Sequence, residues 1–485
     1  MQEHETGGDV IDFPSGKTVA NLTDVGNAQR LVERHGHSLH YLHRWSRWIY
    51  WDSNRWVEDH AGQATAWFKE TMKALAADAA EIADDKIRKQ TVKHALASEG
   101  AGRVKGGLEM ARSEAGMPIQ PDDLDSDPLL LNLNNCTYDL ATEAPRTHQR
   151  EDLLTKLAPV DYDPEATCPL WDAFIETILP DPDVRRYVQQ LVGYSLTAET
   201  GEQILPVLYG SGANGKTTML ETIRHMLGDY GQVAPASIFM EQKDGIPNDI
   251  ARLRGTRFVM VSEIAEGKRL NEALVKRLTG GDTLSARFLY ADYFEFKPDF
   301  KAWLATNHKP EIRGTDEAIW RRVRLIPFTV TIPPTDRDPD LQDKLKNELP
   351  GILNWALHGY MDWAANRLTT PKAVIAATDD YRADSDLIGA FLTDRFTETV
   401  GGWVRNGEIY EAYVTWAKGN AGDPMTPKAF SQRLLERGYQ QNRLKVGRIW
   451  LDLELTTYNK QCKVQTKCCK KVSPQMAQTS QKQSW

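Results

Sequence analysis

The clearest break in the alternation of apolar and polar positions falls at Ile204–Tyr209, an apolar run that gives way to small and polar residues. Helical spacing follows from Thr217 to Leu227, until Gly228. This order predicts a buried strand, a tight loop and a helix that the glycine stops. Pro206 removes a ladder hydrogen bond from what should be a central strand, so the strand is expected to begin after it. Two more apolar runs read as buried strands: Arg257 to Ser262, ending in the acid Glu263, and Lys301 to Thr306, ending in the amide Asn307. Between them, Leu284–Lys297 alternates on both sides of Tyr290–Tyr293 and predicts a hairpin.

The flanks are read in the same way. Residues 1 to about 25 are rich in Gly, Asp and Thr without periodicity, as a disordered lead would be. His43–Val57 predicts two short strands joined at Asp52-Ser53-Asn54. Its tryptophans, Trp45, Trp48, Trp51 and Trp56, are expected to form the core of a small sheet, with stacking on nucleic-acid bases as the alternative. Ala64–Ala97 is helical in composition, Gly100–Gly107 is expected to interrupt it, and Asp122–Asp127, between two prolines, reads as a solvated turn. Leu129–Leu140 predicts short strands. From Trp171 the spacing is helical again, with Val184, Tyr187, Val188, Leu191 and Val192 on one face.

Beyond the central run, Thr331–Pro339 connects to helices reaching about residue 368, and Thr370-Pro371 marks another break. A small carboxyl-terminal unit follows. Ile409, Tyr410, Tyr413 and Trp416 share a helix face; Thr426-Pro427 opens a second helix through Phe430, Leu434 and Leu435, which Gly438 closes. Two strands flank Lys445–Arg448. Helix, helix and wing would turn Lys428, Gln432 and Arg433 outward, an arrangement that serves DNA contact or protein contact.

Composition narrows the classes of function. A chain of 485 residues with a net charge of −8 is long enough for roughly two to four domains. No apolar stretch reaches membrane-spanning length, and Met1–Val10 is polar and acidic, so neither secretion nor insertion is expected. The five cysteines (Cys136, Cys168, Cys462, Cys468, Cys469) include no CxxC pair, and no histidine follows His358, so a four-ligand zinc site in the tail is not expected. Reduced thiols and a cytoplasmic setting follow, in a bacterial host or for a virus-encoded protein. The acidic balance argues against indiscriminate coating of nucleic acid but is compatible with a basic channel. Basic residues cluster from Lys297 to Arg324 and in the tail after Glu454; a solvated basic face is the simpler explanation of either cluster.

The loop between the first strand and its helix carries the chemistry. Gly210-Ser211-Gly212-Ala213-Asn214-Gly215-Lys216-Thr217-Thr218 fits GxxxxGKT in the strand, loop, helix context that the pattern requires. Its glycines let backbone N–H groups face a polyphosphate, Lys216 would neutralise the β and γ charges, and the Thr217 hydroxyl would ligate magnesium. Glu263, at a strand end beside the loop, would polarise water or support magnesium, and Asn307 would orient water without adding charge. Arg321 or Arg322 would reach the site of a neighbouring subunit to stabilise transition-state charge, while Arg324 leads along a strand to Phe328. The hairpin offers Arg287, Tyr290, Tyr293 and Lys297 for phosphate and stacking contacts with one strand, unless it is purely structural.

These motifs, GSGANGKTT at Gly210, RFVMVSEI at Arg257, KRLTGGDTLSARFLY at Lys276, KAWLATNHKP at Lys301 and IWRRVRLIPF at Ile319, resemble in order and spacing the superfamily 3 helicases. The resemblance is specifically to the phage- and plasmid-encoded primase-helicases related to the poxvirus primase-helicase. It runs from about residue 25 to about residue 455 and implies an α/β fold with an AAA+ core. The implied plan is a disordered lead (1–25), an α+β amino-terminal domain (26–165), a helical collar (166–200), the helicase core (201–370), a winged helix (371–457) and a basic tail (458–485). It also implies ATP and Mg2+ as cofactors, a homohexameric ring and 3′-to-5′ translocation on single-stranded or forked DNA. The nucleotide and magnesium roles would fall to Lys216 and Thr217, the acidic role to Glu263, the sensor role to Asn307, the finger to Arg322 or Arg321 and DNA tracking to Leu289–Tyr293. Two departures stand out: Ser262 precedes Glu263 where many relatives have a second acid, and Ala291 stands at the hairpin tip where a basic residue is frequent. Too little chain precedes residue 200 for a complete primase domain, so primer synthesis would need a separate primase or polymerase. The competing readings are an initiator or loader that uses ATP as a switch, and a small-molecule P-loop enzyme, against which the arginine pair speaks.

Overall fold

The computed structural model describes residues 21–241, 248–262, 264–287, 293–312, 316–420, 424–445 and 447–455. The chain divides into two compact units, residues 1–379 and 380–485.

The first unit opens with helix α1 (Asp24–His35), capped by the Thr23 hydroxyl, which accepts the Gly26 N–H at 3.1 Å. An antiparallel meander of β1 (Leu39–Leu42), β2 (Arg47–Trp51) and β3 (Trp56–Glu58) follows. Asp52 shapes its β2–β3 turn by accepting the N–H groups of Asn54 and Arg55, each at 2.8 Å. Of the four tryptophans, Trp56 is buried; Trp45, Trp48 and Trp51 keep part of their surface in solvent. Helices α2 (Gln63–Asp78), α3 (Asp85–Ser98) and α4 (Ala101–Ala111) come next. The expected interruption at Gly100–Gly107 is confined to Glu99–Gly100, between α3 and α4. Gly100 is the N-cap of α4, and a Cβ at Gly107 would lie 2.3 Å from a Phe68 ring carbon, so a glycine that reads as a breaker instead permits close helix contact.

A second meander, β4 (Leu130–Asn132), β5 (Thr137–Asp139) and β6 (Ala144–Arg146), leads to α5 (Pro169–Ile178) and α6 (Pro182–Tyr194). The predicted face of α6 is buried from Val184 through Val192. A mixed α/β module then runs β7 (Leu205–Tyr209), α7 (Lys216–Leu227), β8 (Gly231–Pro235), β9 (Phe258–Ser262), α8 (Glu272–Gly280), β10 (Leu284–Ala286), β11 (Phe294–Phe296), β12 (Lys301–Thr306), α9 (Glu317–Trp320) and β13 (Val323–Pro327). Five strands form a parallel sheet in the order β13-β7-β12-β9-β8, while β10 and β11 pair antiparallel as a separate hairpin. Helices α10 (Leu341–Lys346), α11 (Leu349–Asn366) and α12 (Lys372–Ser385) complete the run. The division between units falls inside α12, because Val374 is buried in the first core and the Thr378 hydroxyl accepts the Leu325 N–H at 3.0 Å. One continuous core joins Tyr138, Trp171, Leu191, Leu220, Trp303 and Leu353, so the second meander and α5–α6 share their interior with the parallel sheet.

Pro206 lies inside β7 rather than ahead of it. The Leu205 N–H donates to the Arg322 carbonyl at 2.7 Å, so with period-2 alternation the missing N–H of Pro206 belongs to the edge facing β12. Pairing with β12 begins only at Val207, so no ladder bond is lost.

The second unit contains α13 (Leu387–Arg395), β14 (Phe396–Arg405), α14 (Asn406–Asn420), α15 (Pro427–Glu436), β15 (Gln441–Leu444) and β16 (Gly447–Leu455). Ile409, Tyr413, Phe430 and Leu434 meet in its core, and the Thr426 hydroxyl caps α15 by accepting the Ala429 N–H at 3.3 Å. Strand β14 has no counterpart in the sequence reading; it pairs with β16 in a sheet ordered β14-β16-β15.

Candidate nucleotide site and its surroundings

The loop 210–215 leaves the carboxyl end of β7 and delivers Lys216 as the first residue of α7. Gly215 holds φ at +78°, and a Cβ there would meet Ile178 at 2.6 Å, which excludes any other residue without a shift of α5. The Lys216 ammonium is buried and donates to the Gly210 carbonyl (3.0 Å), Asn214 Oδ1 (2.8 Å) and Asn307 Oδ1 (3.2 Å). Burial pushes its pKa down to about 8. All three acceptors are neutral, so the ammonium is hydrogen-bonded but not charge-balanced. Asn214 Nδ2, also buried, finds no hydrogen-bond partner among the described residues. An orphan donor, an uncompensated ammonium and the free N–H groups of a helix N-terminus make a cradle for anionic oxygen.

The loop therefore fits a nucleoside polyphosphate. Lys216, Asn214 Nδ2 and the first N–H groups of α7 would hold it. Thr217 is exposed and makes no hydrogen bond among the described residues, which leaves its hydroxyl free to ligate magnesium. No group of three or more His, Cys, Asp or Glu side chains able to hold a metal is present among the described residues, which do not include Glu263.

The neighbour of the loop strand is β12, not the acid strand. Ser262 and Leu208 are both level with Ala305 of β12, which places the end of β9 two strand spacings, about 10 Å, from β7. Glu263 itself lies outside the described residues, as do Tyr290 and most of Leu289–Tyr293. Asn307 is brought directly to Lys216, whereas Arg321 and Arg322 stand elsewhere, after α9. Their environments differ sharply. Arg322 is 6% exposed and donates to Thr279 Oγ1 (2.9 Å), the Ala318 carbonyl (2.7 Å) and Gln203 Oε1 (3.1 Å). Arg321 is exposed and reaches only Gln203 Oε1, at 3.4 Å.

The basic stretch from Lys297 to Arg324 is thus not one solvated face. Lys301 is buried and donates to the carbonyls of Thr197 (2.5 Å) and Glu199 (3.1 Å), with its ammonium 4.5 Å from the Tyr194 ring centre; burial holds its pKa well below the ordinary lysine value. Arg257, at the start of the acid strand, does similar work, donating to the Leu196 (2.6 Å) and Leu130 (2.7 Å) carbonyls. The two cations pin β9 and β12 to the segment after α6. In the hairpin, Arg287 lies 4.9 Å over the Tyr293 ring, and Tyr293 and Lys297 are exposed. Sequence reasoning missed Gln203 and Thr279, the partners of the arginines. Nothing in their local sequence marks them, because their importance comes from a contact made across the fold.

Residues 28–180 match the family described as D5 N terminal like, and residues 208–322 match a family of unknown function, DUF5906. A protein of Acanthamoeba polyphaga mimivirus named "Putative helicase" is 28% identical over 326 residues, covering 61% of this chain and 34% of the relative. The chain carries a D5 N terminal like region followed by a DUF5906 region. A second relative, from frog virus 3 and also named "Putative helicase", is 28% identical over 290 residues, covering 54% of this chain and 30% of its own length. A third, named "Putative primase", comes from African swine fever virus and is 22% identical over 396 residues, 75% of this chain and 39% of the relative. The chain spans about a third of the length of these curated relatives. The apo carboxyl-terminal region of NrS-1 aligns with a TM-score of 0.47 at 10% identity, over 89% of this chain and 100% of that one. The DUF5906 match holds the phosphate loop, Asn307 and both arginines; the second compact unit lies beyond both matches. No helix among the described residues is long and apolar enough to cross a membrane.

Proposed function

We propose that this chain is an ATP-dependent DNA helicase for replication of a phage, plasmid, virus or related mobile element, with an AAA+ core and a carboxyl-terminal winged helix. It self-associates, in our reading as a hexameric ring moving 3′ to 5′ on single-stranded and forked DNA, alongside a separate primase or polymerase. The observation that carries the proposal is the meeting of Lys216 with Asn307. A phosphate-binding ammonium and a water-orienting amide converge from adjacent parallel strands at the same sheet edge. The helicase and primase names of the relatives favour DNA as the partner.

ATP with Mg2+ supplies the free energy of phosphoanhydride cleavage. Lys216 neutralises phosphate charge, Asn214 Nδ2 and the α7 N–H groups donate to phosphate oxygens, Thr217 ligates magnesium, and Glu263 and Asn307 polarise and orient the attacking water. In the second unit, exposed Arg443 and Arg448 stand directly opposite each other across β15 and β16, an arrangement that costs energy unless an anion lies between them. A phosphate backbone would offset that cost, which supports DNA contact by the wing.

The test is ATP hydrolysis with and without single-stranded DNA, together with strand displacement on a forked duplex, with Lys216→Ala as the control. DNA-stimulated hydrolysis and displacement are expected. Hydrolysis indifferent to DNA with no displacement would favour an ATP-switched initiator or loader instead.

The finger is assigned to Arg321, because Arg322 spends its donors inside its own subunit. Arg321→Ala is expected to fold normally and to lose ATP turnover roughly 100-fold. Mixing it with Lys216→Ala subunits should restore part of the activity. Arg322→Ala removes three hydrogen bonds, one of them to buried Thr279, and is expected to cost about 2 kcal/mol of stability in a denaturant melt. If the mixture shows no recovery while Arg322→Ala melts like the parent, the assignment is reversed.

A further inference from the structure

A groove of about 1840 Å³ in the first unit lies between the β1–β3 meander and the β10–β11 hairpin. It exceeds the range of roughly 300–1,000 Å³ usual for a small-molecule site. Arg254 spans it, with its guanidinium 5.3 Å from the Trp45 ring centre and 5.8 Å from that of Phe294 on β11. It also donates to Asp122 at 2.9 Å. Two other lining arginines are paired, Arg47 with Glu58 and Arg55 with Asp229. Arg44, Lys156, Arg252 and Lys297 line the same groove and make no ion pair among the described residues. The lining carboxylates outside the ion pairs are weaker counterweights. Asp125 accepts bonds from Thr155, Asp299 is shifted towards its neutral form by burial, and Glu199 remains. Of the lining aromatics, Tyr293 on the hairpin is 64% exposed and Trp45 is partly exposed.

Two accessible aromatic rings and four cations that make no ion pair, all lining one groove, suit a polymer that alternates flat bases with phosphates. In a chain of net charge −8, four cations that form no ion pair in one groove point to an anionic occupant. We propose that this groove holds single-stranded DNA, with a base stacked on Trp45 and phosphates at Arg44, Lys156, Arg252 and Lys297. The amino-terminal meander is then a wall of the DNA path, not only a scaffold. The inference rests on the helicase reading for the identity of the polymer.

The test is the Kd of the full chain for a fluorescent twenty-residue oligo(dT), measured by anisotropy at several salt concentrations without ATP, for the parent, Trp45→Ala, Arg252→Glu and Arg287→Ala. Trp45→Ala is expected to weaken binding about 10-fold. Arg252→Glu should weaken it and reduce the slope of log K against log salt by roughly 0.7 or more. If Trp45→Ala proves poorly folded in a melt, Arg252→Glu, at an exposed position, decides alone. Both groove variants binding within twofold of the parent while Arg287→Ala loses affinity would overturn the groove and leave the helicase reading standing on the hairpin. No binding by the parent chain would overturn both.

Discussion

Replacing Lys216 by alanine is expected to reduce ATP turnover at least about 100-fold while the chain stays folded. That factor corresponds to about 2.7 kcal/mol of transition-state stabilisation. The structure explains why activity and stability should separate. The ammonium is buried among three neutral acceptors, so the folded state gains hydrogen bonds but bears the desolvation cost seen in its lowered pKa of about 8. Removing it leaves Asn214 Oδ1, Asn307 Oδ1 and the Gly210 carbonyl without that donor, a penalty of about 1–3 kcal/mol that relief of the buried charge partly offsets. A thermal melt of Lys216→Ala close to the parent, together with lost hydrolysis, is the expected pair of results. Retained turnover would show that the loop is not the nucleotide site.

Much of this region was legible from sequence because its signals are local. A GxxxxGKT loop between an apolar strand and a helix stopped by Gly228 needs no distant residue to be recognised, and Thr426-Pro427 marks its helix for the same reason. The failures are of another kind. Pro206 was read against a generic central strand, but whether a missing N–H matters depends on which neighbour faces it and where that pairing begins. Gly100–Gly107 reads as an interruption, which holds at Gly100 but not at Gly107, where the space is set by Phe68, far away in sequence. A solvated basic face is the simple local explanation of Lys301 and Arg322, yet they are interior because carbonyls and hydroxyls from other elements satisfy them. In each case the deciding partner lies across the fold, where no local pattern can name it.

The same lesson yields the largest expected effect on stability, at a glycine pair that carries no motif. Helices α6 and α11 cross so closely that a Cβ at Gly359 would lie 2.1 Å from the Gln189 carbonyl oxygen, and one at Gly193 would lie 2.0 Å from the Tyr360 nitrogen. Both obstacles are backbone, which cannot rotate away as a side chain can. Gly359→Val is therefore expected to push the helices apart at a cost of about 3 kcal/mol, lowering the melting temperature by roughly 6–12 °C. Gly102→Ala is the control. It too is a glycine in a helix of the first unit, but nothing lies within 4 Å of its Cβ position. There the change should be neutral or stabilising by up to about 1 kcal/mol, as alanine propensity dictates. The consequence reaches β12, because α6 leads into Thr197 and Glu199, whose carbonyls hold buried Lys301 at the start of β12, and β12 ends beside Asn307. Displacing α6 should thus reduce ATP turnover in the fraction that remains folded, through the position of Asn307 and not through any contact with nucleotide. A Gly359→Val chain that melts with the parent would mean that α6 and α11 are not in this contact in solution.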